Sequence, residues 1–409
     1  MKIALLGYGK EGKAVENYFK KDATFDIFEN FTPEEIRTKD FSSYDIVFRS
    51  PSVPPLGLKN GSSVTRYFFD HCPCPIIGTT GTKGKGTTCS LIAKILEALG
   101  KKVYLIGNIG NPAIDILDKL TPESVVVYEL SSFQLWDLEK SPHIAVVLRI
   151  EAEHLNIHKD FVDYLDAKSH IAKFQTPADA IIYFKNNPNS TEIAEKSPAD
   201  HKFPYPNDQK SPELIDVLNS LKVPGDHNKE DAEAAILAVS AYLEMSVEEL
   251  IDKYHEEIKS TLNDFKGLPH HIEFVRNLNN VDYYDDSFST SYPSLEVALK
   301  AFPNKNIVLI AGGKDRGLDL TPIKKTIFDN PNLKKAVLIG EIKTKLAENE
   351  PEDKFILAET LDEATKEAKN FAEQYENAIV LLSPGAASFD MFKNFYDRGE
   401  QFKKLVEEL

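Results

Sequence analysis

Runs of aliphatic and β-branched residues, mostly unbroken by polar positions, recur along the chain with stretches of helical spacing between them. The runs predict strands at Lys2–Leu6, Asp45–Phe48, Pro75–Ile77, Val103–Ile106, Val125–Glu129, Ala145–Arg149, Ala180–Phe184, Asn306–Ala311, Ala336–Ile339 and Ala378–Leu382. Apolar residues at every position, and not at alternate ones, suit strands covered by helices on both faces. Apolar residues three and four apart predict helices at Lys85–Leu99, Phe161–Phe174, Lys229–Leu243, Ser294–Phe302, Leu361–Gln374 and Met391–Leu405. Strand alternating with helix predicts an α/β protein with parallel or mostly parallel sheets. One pair, Ile272–Arg276 and Val281–Tyr284, reads as antiparallel.

Two stretches mark boundaries. Tyr67–Pro75 carries two prolines before a fresh strand–loop–helix unit, and Asn263–Pro269 precedes the antiparallel pair. Three domains are expected, 1–72, 73–268 and 269–409. Asn186–Pro212, rich in Pro, Asp, Asn and Lys, reads as an irregular excursion inside the middle one.

The 409 residues are 42% hydrophobic and 27% charged, enough to bury real cores. A net charge of −16 disfavours a broad nucleic-acid or anionic-membrane face, while a local basic pocket for phosphates stays possible. The cysteines, Cys72, Cys74 and Cys89, indicate neither a zinc site nor a disulfide framework. The start reads as a strand and glycine turn without the features of a signal peptide, and no run approaches a membrane span. A cytoplasmic monomer without membrane insertion is expected.

The sharpest chemical signal is Gly78-Thr79-Thr80-Gly81-Thr82-Lys83-Gly84-Lys85-Gly86-Thr87-Thr88, between an apolar strand and an amphipathic helix. Glycines let backbone N–H groups converge on phosphate oxygens, and the helix N-terminus adds positive potential. Lys85 can then reach the outer phosphates while a neighbouring hydroxyl holds Mg²⁺. A nucleotide site over Gly81–Thr88 follows. A second glycine turn, Gly7-Tyr8-Gly9-Lys10-Glu11-Gly12, follows the first strand, with Glu29 near the end of a second. Alone it is weak evidence for a dinucleotide site and says that a diphosphate could rest there.

Four further stretches complete a pattern. They are Tyr128-Glu129-Leu130-Ser131-Ser132-Phe133-Gln134-Leu135, Gly225-Asp226-His227-Asn228, Asp285-Asp286-Ser287-Phe288-Ser289-Thr290, and Leu382–Asp390 with Phe392-Lys393-Asn394-Phe395 and Arg398-Gly399. In this order they resemble the Mur ligases over nearly the whole chain, and most of all the branch that adds glutamate. The resemblance implies a Rossmann-like first domain for a UDP-linked substrate, a central P-loop ATPase domain, and a Rossmann-like last domain for glutamate. It also implies the reaction. ATP with Mg²⁺ phosphorylates the terminal carboxylate of UDP-N-acetylmuramoyl-L-alanine, glutamate's amine attacks the acyl-phosphate, and phosphate leaves. A carboxylate is a poor electrophile, so the enzyme's work is positioning and charge neutralisation.

Carried over residue by residue, the resemblance gives Lys85 to the transferred phosphoryl group, and Thr87, Glu129, His154 and Lys168 to metal. Lys168 matches a lysine that the family carbamylates. Asn108, Gly110, Ser131, Ser132 and Gln134 look like contacts to the muramoyl-alanine part, and Asn228, Asp286 and His271 to the nucleotide. Gly9, Glu11, Glu29 and Ser52 would take the UDP end. Thr290, Arg316, Ser388 and the backbone at Phe395 would take glutamate's carboxylates, for which a guanidinium fork is suited.

Four positions depart from the commonest pattern. Gly86 replaces a hydroxyl residue after the loop lysine, which moves the metal-binding hydroxyl to Thr87 and resembles folylpolyglutamate synthases. His271 stands for an arginine, Phe288 for a lysine and Asp231 for an asparagine that bears on adenine. These departures leave the enantiomer of glutamate open, with D expected. A folylpolyglutamate-type amide ligase is the alternative enzyme. A nicotinamide dehydrogenase on the first glycine turn leaves the phosphate loop unused, and a non-catalytic nucleotide-binding regulator leaves Lys85, Glu129, His154 and Lys168 unexplained.

Overall fold

The computed structural model describes residues 1–107, 112–154 and 157–409. Asn108 and Gly110 lie outside them. Three sheets carry the chain. The first holds β1 (Lys2–Leu6), β2 (Thr24–Phe28), β3 (Ile46–Arg49) and β4 (Gly61–Ser63), all parallel in the order β2-β1-β3-β4. The second holds β5 (Ile76–Thr80), β6 (Lys102–Gly107), β7 (Ser124–Glu129), β8 (Ile144–Val147), β9 (Ala180–Phe184) and β10 (His201–Tyr205). They too are parallel, in the order β10-β9-β8-β5-β7-β6. The third holds β11 (Glu273–Leu278), β12 (Val281–Asp285), β13 (Asn306–Gly312), β14 (Leu333–Ile339), β15 (Phe355–Leu357) and β16 (Ala378–Leu382) in the order β11-β12-β16-β13-β14-β15. Only β11 runs antiparallel, as expected of the pair it makes with β12.

Contacts group Met1–Ser220 with Lys229–Leu262 in one compact unit, and Leu221–Asn228 with Asn263–Leu409 in another. The first two sheets belong to the first unit and the third sheet to the second. Central strands are buried at every position, as in β5, β7, β8 and β16, which is why they read as unbroken apolar runs.

Asn186–Pro212 is not irregular, contrary to expectation. Asn187 caps the helix Pro188–Lys196 by accepting from the Ser190 N–H, and Ile193 and Ala194 bury its inner face. The chain then returns as β10, which pairs with β9 at the sheet's edge. Polar composition concealed both elements because each meets solvent on one side. The final helix also differs, running Phe395–Glu408, since Asn394 caps it by accepting from the Asp397 N–H.

Candidate functional site

In each sheet the expected residues follow strands that are neighbours in space. In the first, Gly9 and Glu11 follow β1, Glu29 follows β2 and Ser52 follows β3, where the order turns back at β1 and β3. Ligands of open α/β sheets bind outside the strands' carboxyl ends at such reversals. Gly7 has φ +85°, and a Cβ there would sit 2.8 Å from Ser50 Oγ, which itself donates to Gly7 O at 3.0 Å. That contact closes the turn against the loop bearing Ser52. Glu29 and Ser52 are exposed. Glu11 is half-buried, and burial pushes its pKa up to about 7 although Arg49 and Gln134 oppose the shift.

A cavity of about 660 Å³ opens beside this turn, lined among others by Tyr8, Lys10, Lys13, Lys20, Pro112 and Asp115. Its lysines were not singled out from sequence, because a lysine on a helix is ordinarily a solvated charge.

The second sheet carries the phosphate loop on its inner strand β5. Gly81 has φ +158° and Gly84 φ +85°, and Gly84 caps the helix Lys85–Ala98. Lys85 Nζ folds back on Gly81 O at 3.1 Å and Thr82 O at 3.0 Å. Thr79 in β5 pairs with Glu129 in β7, so sheet register sets that carboxylate, 4% exposed, beside the loop. Lys168 projects from the helix Phe161–Lys173 and is 2% exposed. Its amine donates to Gly81 O at 2.8 Å and Thr80 Oγ1 at 3.3 Å, over the Tyr164 ring. Burial, then the charge of Lys85, holds its pKa well below the ordinary 10.5, against the pull of Glu153 and Glu129.

Lys85, Glu129 and Lys168 are thus brought together at one loop. His154 has φ +58°, keeps its ring partly exposed, and lies 5.0 Å from the Phe133 ring.

Ser131 and Gln134 form a reciprocal cap: the Gln134 N–H donates to Ser131 Oγ and the Ser131 N–H to Gln134 Oε1. Ser132 turns inward. Its hydroxyl lies 2.9 Å from His158 Nε2, and His158 Nδ1 lies 2.9 Å from Asp163 Oδ2. Arg49, paired with Asp137 and donating to Phe133 O at 3.0 Å, ties this turn to β3. Sequence reasoning missed His158, Asp163 and Arg49, whose partners lie 26, 5 and 88 residues away.

In the second unit, Thr290 follows β12, Arg316 follows β13 and Ser388 follows β16, three adjacent strands. Arg316 is exposed, Thr290 half-buried and Ser388 buried. Arg398, fully buried, braces two of these loops by donating to Ser287 O, Ser287 Oγ and Ala386 O at 2.8–3.1 Å. Burial lowers its pKa to about 10, which leaves it cationic at neutral pH. Ser287 Oγ donates in turn to Phe395 O at 2.9 Å. Gly399 has no room for a side chain, because a Cβ would sit 2.1 Å from His270 Nδ1.

Asp286 accepts from Ser383 Oγ at 2.6 Å and the Ile272 N–H at 3.2 Å, yet burial raises its pKa to about 7. The departures His271 and Phe288 pack ring on ring, 4.0 Å apart. Loss of water, with His270 alongside, holds His271 below the ordinary histidine value. Asn228 is buried, its amide donating to Pro224 O at 2.6 Å.

Residues 79–239 match the Mur ligase middle domain. Over 460 aligned positions the chain is 32% identical to the UDP-N-acetylmuramoylalanine–D-glutamate ligase of Clostridium kluyveri, covering 100% of this chain and 97% of that one. The chain belongs to the Mur ligase family. This Mur ligase is also 32% identical to the similarly named protein of Symbiobacterium thermophilum, over 90% of the chain and 85% of that protein. Its fold matches UDP-N-acetylmuramate–alanine ligase (MurC) of Thermotoga maritima with a TM-score of 0.57 at 18% identity, covering 100% and 99% of the two chains. It matches Mycobacterium tuberculosis folylpolyglutamate synthase, complexed with ADP, at 0.58 with 12% identity, covering 97% and 99%. The three-domain Mur ligase fold is shared. This Mur ligase is an ATP-dependent amide-bond ligase of peptidoglycan synthesis.

The donor set beside the phosphate loop suits a hard divalent cation. Besides the Glu129 carboxylate, the Thr79 and Thr88 hydroxyls are buried with no partner at bonding distance. A bare Lys168 amine offers such an ion no anionic oxygen, whereas a carbamate formed on it would. Among the described residues no helix is long and apolar enough to cross a membrane.

Proposed function

We propose that this Mur ligase joins D-glutamate to UDP-N-acetylmuramoyl-L-alanine through an acyl-phosphate, using Mg²⁺, in the cytoplasm. The observation that carries the reading is the Lys168 amine, buried at Gly81 O beside Lys85. A buried lysine whose pKa is lowered is the better nucleophile for carbon dioxide, and its carbamate is the anion that an oxygen-seeking metal needs. Neither a dehydrogenase nor a passive nucleotide-binding protein has a use for it. The metal, when bound, neutralises phosphate charge during transfer.

Lys85 steadies the moving phosphoryl group, with Glu129, His154, Thr87 and carbamylated Lys168 as the metal's proposed holders. Gly81–Thr88 cradle the phosphates, and Asn228, Asp286 and His271 attend the nucleotide. Ser131, Gln134, Asn108 and Gly110 take the peptide end of the UDP substrate. Ser132 supports that turn through His158. The UDP end rests by Gly9, Glu11, Glu29 and Ser52, and the lysine-lined cavity beside them suits a diphosphate. Thr290, Arg316, Ser388 and Phe395 bind glutamate. Domain boundaries near 72 and 268 are part of the same reading.

The test offers D- and L-glutamate separately with ATP, Mg²⁺ and UDP-N-acetylmuramoyl-L-alanine, and follows phosphate and product mass. A product with D-glutamate alone is expected. Product only with L-glutamate, or only with a folate acceptor, overturns the substrate assignment.

A further inference from the structure

We propose that Asp231 is a ligand, direct or through one water, for the divalent cation that accompanies the nucleotide, and that together with the Thr87 hydroxyl it makes up for the hydroxyl missing at Gly86. The inference rests on the reading that the phosphate loop holds a metal–nucleotide complex.

Asp231 lies on the helix Asp226–Tyr242 and is 8% exposed. Its carboxylate faces the phosphate loop at the turn residue. A Cβ built on Gly84 would sit 2.5 Å from Asp231 Oδ1 and 2.8 Å from Oδ2, so both oxygens lie over that turn. The Thr88 hydroxyl beside it and the charge of Lys85 both favour the ionised carboxylate, but burial outweighs them. Lys85 is near, but its amine is engaged by Gly81 O and Thr82 O. Burial, reinforced by Glu230, therefore pushes the carboxyl well above its ordinary range.

Burial makes the ionised carboxylate costly, and Lys85 offsets only part of that cost. Here it also borders a loop built to attract phosphate, so carboxylate and phosphate would repel. A divalent cation between them resolves both problems, since hard cations take oxygen ligands from carboxylates, hydroxyls and phosphates together. The buried Thr88 hydroxyl supplies a further oxygen at the same place. Gly86 offers none, whereas the resemblance expects a hydroxyl there and an uncharged asparagine at 231. The two departures compensate: an oxygen ligand lost from the loop is regained from the facing helix.

The test is ADP affinity of the full-length protein by calorimetry, in EDTA and in excess MgCl₂, for wild type and Asp231→Asn. In wild type, magnesium should tighten ADP strongly. In Asp231→Asn, affinity in EDTA should rise because the repulsion is gone, affinity in magnesium should fall, and the ratio of the two should shrink about tenfold or more, a coupling of about 1.4 kcal/mol. Adding Gly86→Ser to that variant should restore part of the ratio. Asp231→Ala gives the same reading if the asparagine variant does not fold. An unchanged ratio in Asp231→Asn, with wild type binding ADP normally, overturns the role of Asp231 alone. Failure of wild type to bind ADP under either condition removes the nucleotide reading beneath it.

Discussion

At the carboxyl ends of β5 and β7, ionisable groups are kept and buried: Glu129, Lys168 and Asp231 are each under a tenth exposed, with Lys85 among them. At the carboxyl ends of β12, β13 and β16, Asp286 and Arg398 are also buried, but two positions where the resemblance expects a cation carry neutral rings. The resemblance expects arginine and lysine where His271 and Phe288 form a ring stack, while Arg316 remains as an exposed cation. The contrast fits the division of labour. Stabilising a phosphoryl group in transit requires charges fixed before the reaction, in a site from which water is excluded. His271 is a proposed nucleotide contact packed on Phe288, so its lack of charge leaves phosphate binding to Lys85 and the loop, while the guanidinium fork of Arg316 is kept for the proposed glutamate site.

The strongest challenge to this contrast is Lys168→Ala. Turnover should drop by at least about 10³-fold, and short carboxylates added to the medium should recover part of it. Full turnover in that variant without additives would mean that the buried amine is structural. Next in size is Arg316→Ala, for which the KM for glutamate should rise about 30- to 100-fold, or about 2–3 kcal/mol for a charge-assisted hydrogen-bond pair. Arg316→Lys should recover only part of that loss, and an unchanged glutamate KM would place the amino acid elsewhere.

A smaller effect is expected from putting charge back. His271→Arg combined with Phe288→Lys should lower the KM for ATP about three- to tenfold and make it more salt-sensitive. A rise in that KM would show that the ring stack itself is the working surface.

The smallest effect concerns Asp286. Folding raises its pKa from 3.8 to about 7, mainly by burial, so the native state favours the protonated form. The stability this contributes is full below the unfolded value and is lost as pH rises through about 7. Asp286→Asn should remove that slope, with little change at low pH and a melting point a few degrees higher in mild alkali. Parallel melting curves against pH for variant and wild type would contradict the assignment.

Much of the architecture was legible along the chain because central strands covered on both faces must be apolar throughout. The unpredicted strands β4, β10 and β15 are all edge strands, and each has mostly half-exposed or exposed positions. An edge strand satisfies half its backbone through one neighbour and meets water on the other, so its side chains need no apolar signature. Motif residues such as Lys85 and Glu129 were readable for the complementary reason: their chemistry demands a particular side chain at a particular turn. His158, the bracing role of Arg398 and the inward turn of Ser132 were not, since hydrogen-bond partners distant in sequence leave no local pattern.

By itself, then, the order of amino acids determined the kinds of element, the phosphate loop and the candidate set of charged residues, because periodicity and turn chemistry act over a few neighbouring residues. Only the tertiary structure decided which loops share an edge, that the Lys168 amine faces Gly81, and that Asp231 bears on Gly84. Strand order and burial arise from contacts between distant segments, and it is burial that turns an ordinary lysine or aspartate into a group with unusual chemistry.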